Sequence, residues 1–294
     1  MKTSKTIGLI ILLLIYAIAV TAGIGVFILL ERNGVDNLLV DILLADITST
    51  MVVWLFGVIF KTASTYDPYW SVQTLIIYLL LLIKFNNWNL GTILFLIPLA
   101  IYTIRLTGNF IYTFDSLSYV DWRYRMLKDK TKNFYQIVNL MGICMFPTMV
   151  VYTASIPAFL IAVGGSYNPL QLIGFIVMIG AIVLEFISDY QMHHFRKIRT
   201  DRNQIINIGL WKYSRHPNYL GEISFWFGLF LFYFVTNVSG WYFVAGAIAN
   251  LIMFLVISIP MEEKHMLEYK PQLQDYINRV SMLLILPNKK RKEN

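Results

Sequence analysis

A group of polar side chains stands at the start of an apolar stretch near residue 222. Its members carry a guanidinium, an imidazole, an amide, a phenol and a carboxylate: Arg215, His216, Asn218, Tyr219 and Glu222. Pro217 and Gly221 disfavour one uninterrupted helix through this segment, so we expect the backbone to bend here. Irregular polar backbone at membrane depth is tolerated only where protein buries it or where it lines a cavity. We therefore interpret the segment as a candidate functional site.

Two acidic residues precede this group. Glu185 and Asp189 are four residues apart near the end of an apolar stretch, so they share one face of a helix. Like charges at this spacing repel each other, and a nearby cation or a ligand hydroxyl would relieve the repulsion. Arg196, two turns further on, is one candidate cation. The alternative is a helix end at the lipid headgroups, with Glu185 protonated or paired.

The segment 191–215 between these two groups is strongly basic. It contains Arg196, Lys197, Arg199, Arg202, Lys212 and Arg215. Arginine presents a planar fork to phosphate oxygens, which favours a phosphate-bearing ligand. Attraction to anionic lipid is the alternative. Nucleic acid is a poor candidate partner, because no helix of a known nucleic-acid-binding module accompanies the charge.

Cysteine content limits the chemistry that the chain can perform. Cys144 is the only cysteine, so neither an internal disulfide nor a cysteine-based zinc site can form. Its apolar surroundings indicate a small buried residue. We predict no metal site.

The composition indicates a membrane protein. The 294 residues are 57% hydrophobic and 14% charged, and the formal net charge is +7. Soluble domains have about a quarter of their residues charged, and disordered chains are polar and poor in aromatic residues. Both classes are excluded. We expect an all-α, multi-pass helix bundle embedded in the lipid bilayer.

About 20 mostly apolar residues are needed to cross a bilayer as a helix. On this criterion we predict about eight spans, at residues 7–30, 38–60, 70–83, 90–106, 135–163, 169–190, 222–236 and 241–260. The third and seventh are the shortest. An even number of spans puts both termini on the same side of the membrane.

The distribution of positive charge predicts the orientation. With eight spans, 22 of the 24 lysine and arginine residues fall on the side of the termini, and only Arg32 and Lys84 fall on the other. The positive-inside rule makes the first side cytosolic. Residues 185–222 and 262–269 then form cytosolic loops and helix ends, and loops on the opposite side are short.

The identity of the membrane depends on the source of the chain. We expect the plasma membrane for a bacterial protein and the endoplasmic reticulum for a eukaryotic one. The basic C-terminal tail has Lys290 and Lys292 where a retrieval signal of the endoplasmic reticulum would have lysines. Basic tails are also common on other membrane proteins.

The chain resembles the steroid 5-alpha-reductase C-terminal domain superfamily, most of all its uncharacterised multi-pass branch. The resemblance is carried by the run GLWKYSRHPNYLGE at residues 209–222 and is strong over about 185–280. Two upstream elements are also similar, Tyr66–Trp70 and Asp121–Arg125. The resemblance implies a seven-helix reductase-like core with one extra N-terminal helix. We accordingly divide the chain into N-terminal membrane helices at 1–65 and a reductase-like domain at 66–294, with its cofactor-binding part at 185–280.

The resemblance implies the reduction of a lipid carbon–carbon double bond by hydride from NADPH. It matches the family's cofactor-binding positions to Asp189, Arg196, Arg215, His216, Asn218, Tyr219, Glu222, His265 and Tyr269. Glu222 is also a candidate catalytic residue. Glu185 stands where the steroid enzymes have asparagine.

The same resemblance implies a proton donor in the earlier helices. Tyr102, three residues before Arg105, matches a tyrosine that works with an acid near an earlier tryptophan in the steroid-type enzymes. Trp70 matches that tryptophan, but the nearby Gln73 supplies no carboxylate. Either the substrate is not a 3-keto steroid, or Asp67 or another acid substitutes. A positioned phenol can act as a general acid, whereas an interfacial aromatic is the alternative role for Tyr102.

Two other functions remain open at this point. Isoprenylcysteine and phospholipid methyltransferases share an Arg-His-Pro-x-Tyr-x-Gly segment and bind S-adenosylmethionine there. They usually lack the acid after the glycine, which this chain has as Glu222. A non-enzymatic lipid-binding protein with a degenerate pocket is the other alternative. NADPH-dependent reduction of a steroid, sterol or isoprenoid-like substrate is the prediction that we favour.

Overall fold

A computed structural model of the chain describes residues 4–34 and 37–288. Lys290 and Lys292 of the predicted retrieval signal lie outside the described residues. The described part is all-helical and contains no strand. Its α-helices are α1 Lys5–Arg32, α2 Leu38–Phe60, α3 Tyr69–Phe85, α4 Leu90–Thr113, α5 Trp122–Thr131, α6 Tyr135–Val138, α7 Phe146–Gly164, α8 Gln171–Ile198, α9 Pro217–Phe234, α10 Val244–Met253, α11 Ile259–Tyr269 and α12 Leu273–Arg279.

Some of these helices continue into one another through other helical turns. α6 continues into α7 through the π-helical segment Asn139–Met145, and α10 continues into α11 through the π-helical segment Phe254–Ser258. Lys132, which has a φ of +45°, separates α5 from α6 and begins the 3₁₀ turn that precedes α6. Pro147 is the second residue of α7, directly after the π-helical turns. Proline has no N–H to donate to the preceding turn, and the π-helical segment lies where that helical hydrogen bond is missing.

Within the part of the chain that the structure describes, six helical stretches are long and apolar enough to cross a membrane: Lys5–Arg32, Leu38–Phe60, Leu90–Thr113, Trp122–Gly164, Gln171–Ile198 and Val238–Tyr269. Large apolar side chains on them are exposed, among them Leu13 at 70% and Ile104 at 69%. Such surfaces suit contact with lipid tails. The prediction of a helical membrane protein is thus supported, whereas the count of eight spans is not confirmed. The other two predicted spans correspond to α3, which has 17 residues, and α9, which has 18.

The chain divides into two compact units, Met1–Gly165 and Ser166–Asn294, called here the N-terminal and the C-terminal unit. Each is described by itself below. The division predicted after residue 65 rests on family resemblance rather than on compactness, and it stays a prediction.

In the N-terminal unit, hydroxyl groups join helices inside the apolar core. Thr148 of α7 lies 3.0 Å from the hydroxyl of Thr50 on α2 and 2.8 Å from that of Tyr66. Thr74 of α3 lies 2.7 Å from Ser155 of α7. In a membrane protein such bonds between helices contribute to association that hydrophobic burial alone cannot drive. They fix α3 against α7 and hold the segment before α3 in place.

In the C-terminal unit, glycines allow α8 and α9 to pack closely. A Cβ atom added at Gly221 would lie 2.7 Å from the Cβ atom of Glu185 and 2.9 Å from the carbonyl oxygen of Ala181. One added at Gly174 would lie 2.4 Å from the backbone of Phe232. Small residues at such contacts let two backbones approach each other. The glycine in the predicted signature therefore sets the distance between α8 and α9.

Candidate functional site

The segment before α9 is anchored to the end of α8. Gly209 has a φ of +55°, and the side chain of Gln191 lies so close that a Cβ atom would meet it at 2.5 Å. The side-chain oxygen of Gln191 accepts a hydrogen bond of 2.9 Å from the backbone N–H of Leu210. The indole N–H of Trp211 donates to the carbonyl of Ser188 at 3.0 Å. The first residues of the signature, Gly209 to Trp211, therefore position the start of α9 against α8.

The C-terminal segment holds the next residues of the signature. The hydroxyl of Ser214 donates to the carbonyl of Leu283 at 2.7 Å. The backbone N–H of Arg215 donates to the carbonyl of Ser281 at 2.9 Å. Residues 214–215 and 281–283 are thus joined by hydrogen bonds beside the start of α9.

The Arg215 side chain is buried and makes four hydrogen bonds. Its Nε and Nη2 atoms donate to the Glu263 carboxylate at 2.6 and 3.4 Å. Its Nη1 atom donates to the carbonyl oxygens of Ile277 and Val280 at 2.9 and 2.6 Å. These bonds tie the start of α9 to α11 and to the end of α12. The contact to a cofactor that the sequence predicts for Arg215 stays a prediction.

Two carboxylates of α11 hold the rings of His216 and Tyr219. His216 Nε2 lies 3.0 Å from the Glu263 carboxylate, and the Tyr219 hydroxyl donates to Glu262 at 2.8 Å. The imidazole and phenol rings are stacked, with centroids 5.3 Å apart and planes 4° from parallel. Tyr219 also packs against Phe254. Sequence reasoning missed both glutamates, although two adjacent carboxylates at the end of an apolar stretch were the available signal.

Asn218 and Glu222 lie on α9, one turn apart. The Asn218 side-chain oxygen is shielded from solvent and has no hydrogen-bond partner among the described residues. Leaving a buried acceptor unmatched costs free energy, which makes this atom a candidate ligand contact. Glu222 is buried and accepts a 2.8 Å hydrogen bond from the Trp226 indole N–H. The indole thereby fixes the orientation of this carboxylate.

Glu185 and Asp189 differ in exposure, although both lie on α8. Glu185 is buried and lies against Gly221, directly before Glu222 in the chain. Asp189 is half-buried. The structure therefore places Glu185 beside the first turns of α9, which carry the polar residues of the signature.

Three cations lie near one another at the end of α8 and after α11. Burial lowers the pKa of Lys270, and the positive charges of Arg199 and Arg196 lower it further. Asp201 partly offsets these effects. The Lys270 ammonium donates to the carbonyl of Gln204 at 3.1 Å. Because mutual repulsion of this kind is relieved by an anion, the group is a candidate site for phosphate.

His265 and Tyr269 lie near the end of α11, shortly before Lys270 in the chain. His265 Nδ1 is 3.2 Å from the Glu268 carboxylate, and its ring meets the Tyr269 ring edge to face at 5.5 Å. The Lys270 ammonium lies 5.7 Å from the centroid of the Tyr269 ring. Tyr269 is thus adjacent to the candidate phosphate site, as a cofactor contact would need to be.

In the N-terminal unit, the two upstream elements of the resemblance meet. The Tyr124 hydroxyl donates a hydrogen bond to Asp67, and Arg123 pairs with Asp121 at 2.8 Å. Burial raises the pKa of Asp67, although the Arg123 charge and the Tyr124 hydrogen bond oppose the rise. A carboxyl group that keeps its proton to higher pH suits proton donation. Asp67 is therefore a candidate acid, as the sequence suggested.

Replacing Asp67 with asparagine should make stability less dependent on pH. The raised pKa means that the folded state binds the Asp67 proton more tightly than the unfolded state does. The folded state therefore loses stability as pH rises from about 4 through the folded-state pKa. The amide of the Asp67→Asn variant cannot ionise and keeps an oxygen for Tyr124. We expect the melting temperature of the variant, relative to the wild type, to rise between pH 4 and pH 7.

Thermal melts in detergent across this pH range measure the effect. Asp129→Asn is the matched control, because Asp129 is exposed on α5. We expect the difference in melting temperature between the control and the wild type to stay constant with pH. If the difference for Asp67→Asn were also constant, burial would not raise the pKa of Asp67 in the folded state.

The other residues predicted on the substrate side lie on α3 and α4. Tyr102 is buried on α4, and Arg105 is half-buried one turn further along it. Trp70 is half-buried in the first turn of α3. A 3.1 Å hydrogen bond from the Thr103 hydroxyl to the carbonyl of Ser71 joins the two helices beside them. The roles of Tyr102, Arg105 and Trp70 stay predictions.

Within residues 4–34 and 37–288, no group of three or more His, Cys, Asp or Glu side chains could hold a metal ion.

Comparison with known proteins gives one match. Residues 53–280 match the family described as "Protein of unknown function (DUF1295)". No curated protein and no solved structure matches the chain. The matched range contains every residue assigned above to the candidate site except those of the C-terminal segment beyond residue 280.

Proposed function

Since the chain belongs to the DUF1295 family, whose description gives no activity, we propose its function from its own residues. We propose a membrane-embedded, NADPH-dependent reductase of a carbon–carbon double bond in a lipophilic substrate of steroid, sterol or isoprenoid type. The observation that carries this proposal is the Asn218 side-chain oxygen, which is buried and unmatched in hydrogen bonding among the described residues. The carboxamide of NADPH would offer it an N–H donor.

The residues of the C-terminal unit fit the remaining groups of NADPH. Arg196, Arg199 and Lys270 suit phosphate, because the two arginine charges lie close enough to Lys270 to lower its pKa, and Lys270 contacts Tyr269. Asp189, Tyr219 and His265 complete the polar set that the resemblance assigns to the cofactor. When bound, NADPH would supply hydride to the substrate double bond. The acidic residues Glu262 and Glu263 support this site by holding Tyr219 and His216.

Within this proposal, the chain's own residues orient ligands and move a proton. Glu222 is held by Trp226 and can accept a hydrogen bond from a ligand hydroxyl without first reorganising. Reduction of a double bond also needs a proton, for which Tyr102 and Asp67 are the candidate donors. The raised pKa of Asp67 supports its part in this step.

The proposal includes a topology. We propose eight spans, formed by the six long apolar stretches together with α3 and α9. Both termini and the cofactor-binding residues would then face the cytosol, in the plasma membrane of a bacterium or the endoplasmic reticulum of a eukaryote. The charge asymmetry of the sequence supports this orientation.

A thermal-shift titration of the purified protein in detergent tests the cofactor. We expect NADPH to raise the melting temperature at lower concentration than NADH, because the cations would contact the additional phosphate. S-adenosylmethionine should produce no shift. A shift with S-adenosylmethionine alone would establish the methyltransferase alternative, and no shift with any of the three would favour a lipid-binding protein.

Two variants locate the binding site in the same assay. Asn218→Ala should weaken NADPH binding about fivefold, which corresponds to one neutral hydrogen bond. Arg196→Gln should weaken NADPH about tenfold or more and leave NADH little changed, because a charged contact is stronger. Asn278→Ala and Arg279→Gln on α12 are the matched controls. Equal NADPH affinity in all four variants would reject the assignment.

A further inference from the structure

An elongated cavity of about 320 Å³ lies inside the N-terminal unit, between α1, α2 and α3. One face of α1 lines it from Tyr16 to Glu31, and one face of α3 lines it from Tyr69 to Lys84. Small-molecule sites have volumes of about 300–1,000 Å³. The cavity is therefore large enough for a small ligand.

Each end of the cavity is marked by a pair of residues from α1 and α3. At one end, the Tyr16 and Tyr69 rings meet edge to face at 5.8 Å. At the other, the Lys84 ammonium pairs with Glu31 at 2.5 Å and lies 5.1 Å from the centre of the Phe27 ring. The walls between the two ends are apolar, with Val20, Ile24, Ile76, Ile77 and Leu80 among them. The cavity thus suits a molecule with a long apolar body.

A buried carboxyl group interrupts this apolar lining. Asp46 of α2 is 3% exposed and lines the cavity. Its two oxygens accept hydrogen bonds from the Tyr69 hydroxyl at 3.0 Å and from the Gln73 amide at 2.6 Å. Ionisable residues inside membrane helices are costly and commonly mark ligand pathways. Asp46 holds the Gln73 amide in one orientation.

The hydrogen bond to Asp46 leaves the Gln73 side-chain oxygen as an unmatched acceptor on a residue that lines the cavity. Gln73 is 3% exposed and lines the cavity, and its side-chain oxygen has no hydrogen-bond partner among the described residues. Because the Gln73 nitrogen donates to Asp46, the free atom must be the acceptor. A buried unmatched acceptor is costly, and a ligand that donates one hydrogen bond would remove that cost.

We infer that this cavity binds a lipid alcohol, with the ligand hydroxyl donating to Gln73 and the apolar body extending towards the Glu31–Lys84 pair. Lys84 follows Gln73 by 11 positions on α3, which corresponds to about 16 Å of helix and limits the length of that body. Asp46 is a positioning residue that acts through Gln73. Binding does not depend on the cofactor, so this inference goes beyond the proposed function.

The cavity should bind a lipid with a hydroxyl head group more tightly than one with a ketone or an ammonium group. A ketone has no proton to donate, so it leaves Gln73 unmatched. An ammonium carries a charge and three donors into an apolar cavity, at a high desolvation cost. An alcohol offers one donor without a charge and is therefore the best match.

Photolabelling of the full chain in phosphatidylcholine nanodiscs tests the inference. The probe is a dodecan-1-ol analogue carrying a diazirine in its chain, and labelled peptides are identified by mass spectrometry. Only labelling that a competitor removes is counted, since lipid-facing residues also react. We expect such labelling within 16–31 and 69–84, with dodecan-1-ol competing at least fivefold better than dodecan-2-one. Equal competition by the ketone, or better competition by dodecylamine, would overturn the inference.

Three variants complete the test. Gln73→Leu should reduce the competed labelling at least fivefold, and Ile24→Trp should abolish it by filling the cavity. Leu13→Trp is the matched control, because Leu13 is on α1 and 70% exposed. Melting temperatures show that each variant is folded, and competed labelling that persists in Ile24→Trp would overturn the inference. An NADPH shift measured on the same samples is independent, so failure of one proposal is distinguishable from failure of the other.

Discussion

Arg215→Ala should lower the free energy of unfolding by about 3 kcal/mol, as expected for removal of one partner from a buried ion pair. The substitution leaves the mostly buried Glu263 with His216 and removes two hydrogen bonds to backbone carbonyls at the end of α12. The value is at the low end of the range for such pairs because His216 keeps its contact. Denaturant unfolding in detergent micelles measures it.

Two further variants make this prediction specific. Arg215→Lys keeps the positive charge but cannot supply the planar set of donors, so it should be destabilised almost as strongly. Arg279→Ala is the matched control, since Arg279 pairs with Asp275 across one turn of an exposed helix and should cost about 0.5 kcal/mol or less. If Arg215→Ala were as stable as Arg279→Ala and yet failed to bind NADPH, Arg215 would be a ligand contact rather than a structural one.

The residues of the signature fall into two groups, those that contact other residues of the chain and those that leave a polar atom for a ligand. Arg215 and His216 face Glu263 and stabilise the contact with α11. Asn218 keeps an unmatched acceptor within the described part of the chain. A motif read from sequence alone does not distinguish these uses, because both need the same polar residue types at the same spacing. The structure assigns the supporting contacts, and the binding assays test the others.

Hydropathy predicts the positions of the helices better than their ends. The span predicted at 38–60 coincides with α2, and the one predicted from residue 90 starts with α4. However, α4 continues to Thr113, although the span predicted from residue 90 ends at residue 106. A hydropathy pattern indicates which part of a helix contacts lipid, and it does not indicate where the helix itself ends. Charged residues beyond that level can continue the helix, because its backbone hydrogen bonds do not depend on lipid.

Pairings between distant residues could not be predicted from one sequence. Lys84 is one of two cations outside the predicted cytosolic side, and its ion pair with Glu31 gives a local reason for its position. Asp46 is not among the site residues predicted from the sequence, although a carboxylate in an apolar stretch is a recognisable signal of a functional residue. Its importance depends on Tyr69 and Gln73, which are 23 and 27 residues away. No periodicity or spacing encodes such contacts.

Gly174→Ala should strongly destabilise the C-terminal unit, because the added Cβ atom would lie 2.4 Å from the Cα and N atoms of Phe232. Backbone atoms cannot rotate away as a side chain can, so α8 and α9 must separate. Overpacking of this kind costs about 1–3 kcal/mol and occasionally more. Since α9 also carries Asn218 and Glu222, NADPH affinity should fall as well. Denaturant unfolding and the thermal-shift titration measure the two effects.

Gly180→Ala provides the matched control on the same helix. A Cβ atom at Gly180 has no neighbour within 4 Å among the described residues, so the substitution adds no clash. Alanine also favours the helix over glycine by about 1 kcal/mol, which makes this variant neutral or slightly more stable. Equal stability of Gly174→Ala and Gly180→Ala would show that the helices need not be so close. The spacing of α8 and α9 would then not determine the geometry at the start of α9, and the signature glycine at 221 would need another explanation.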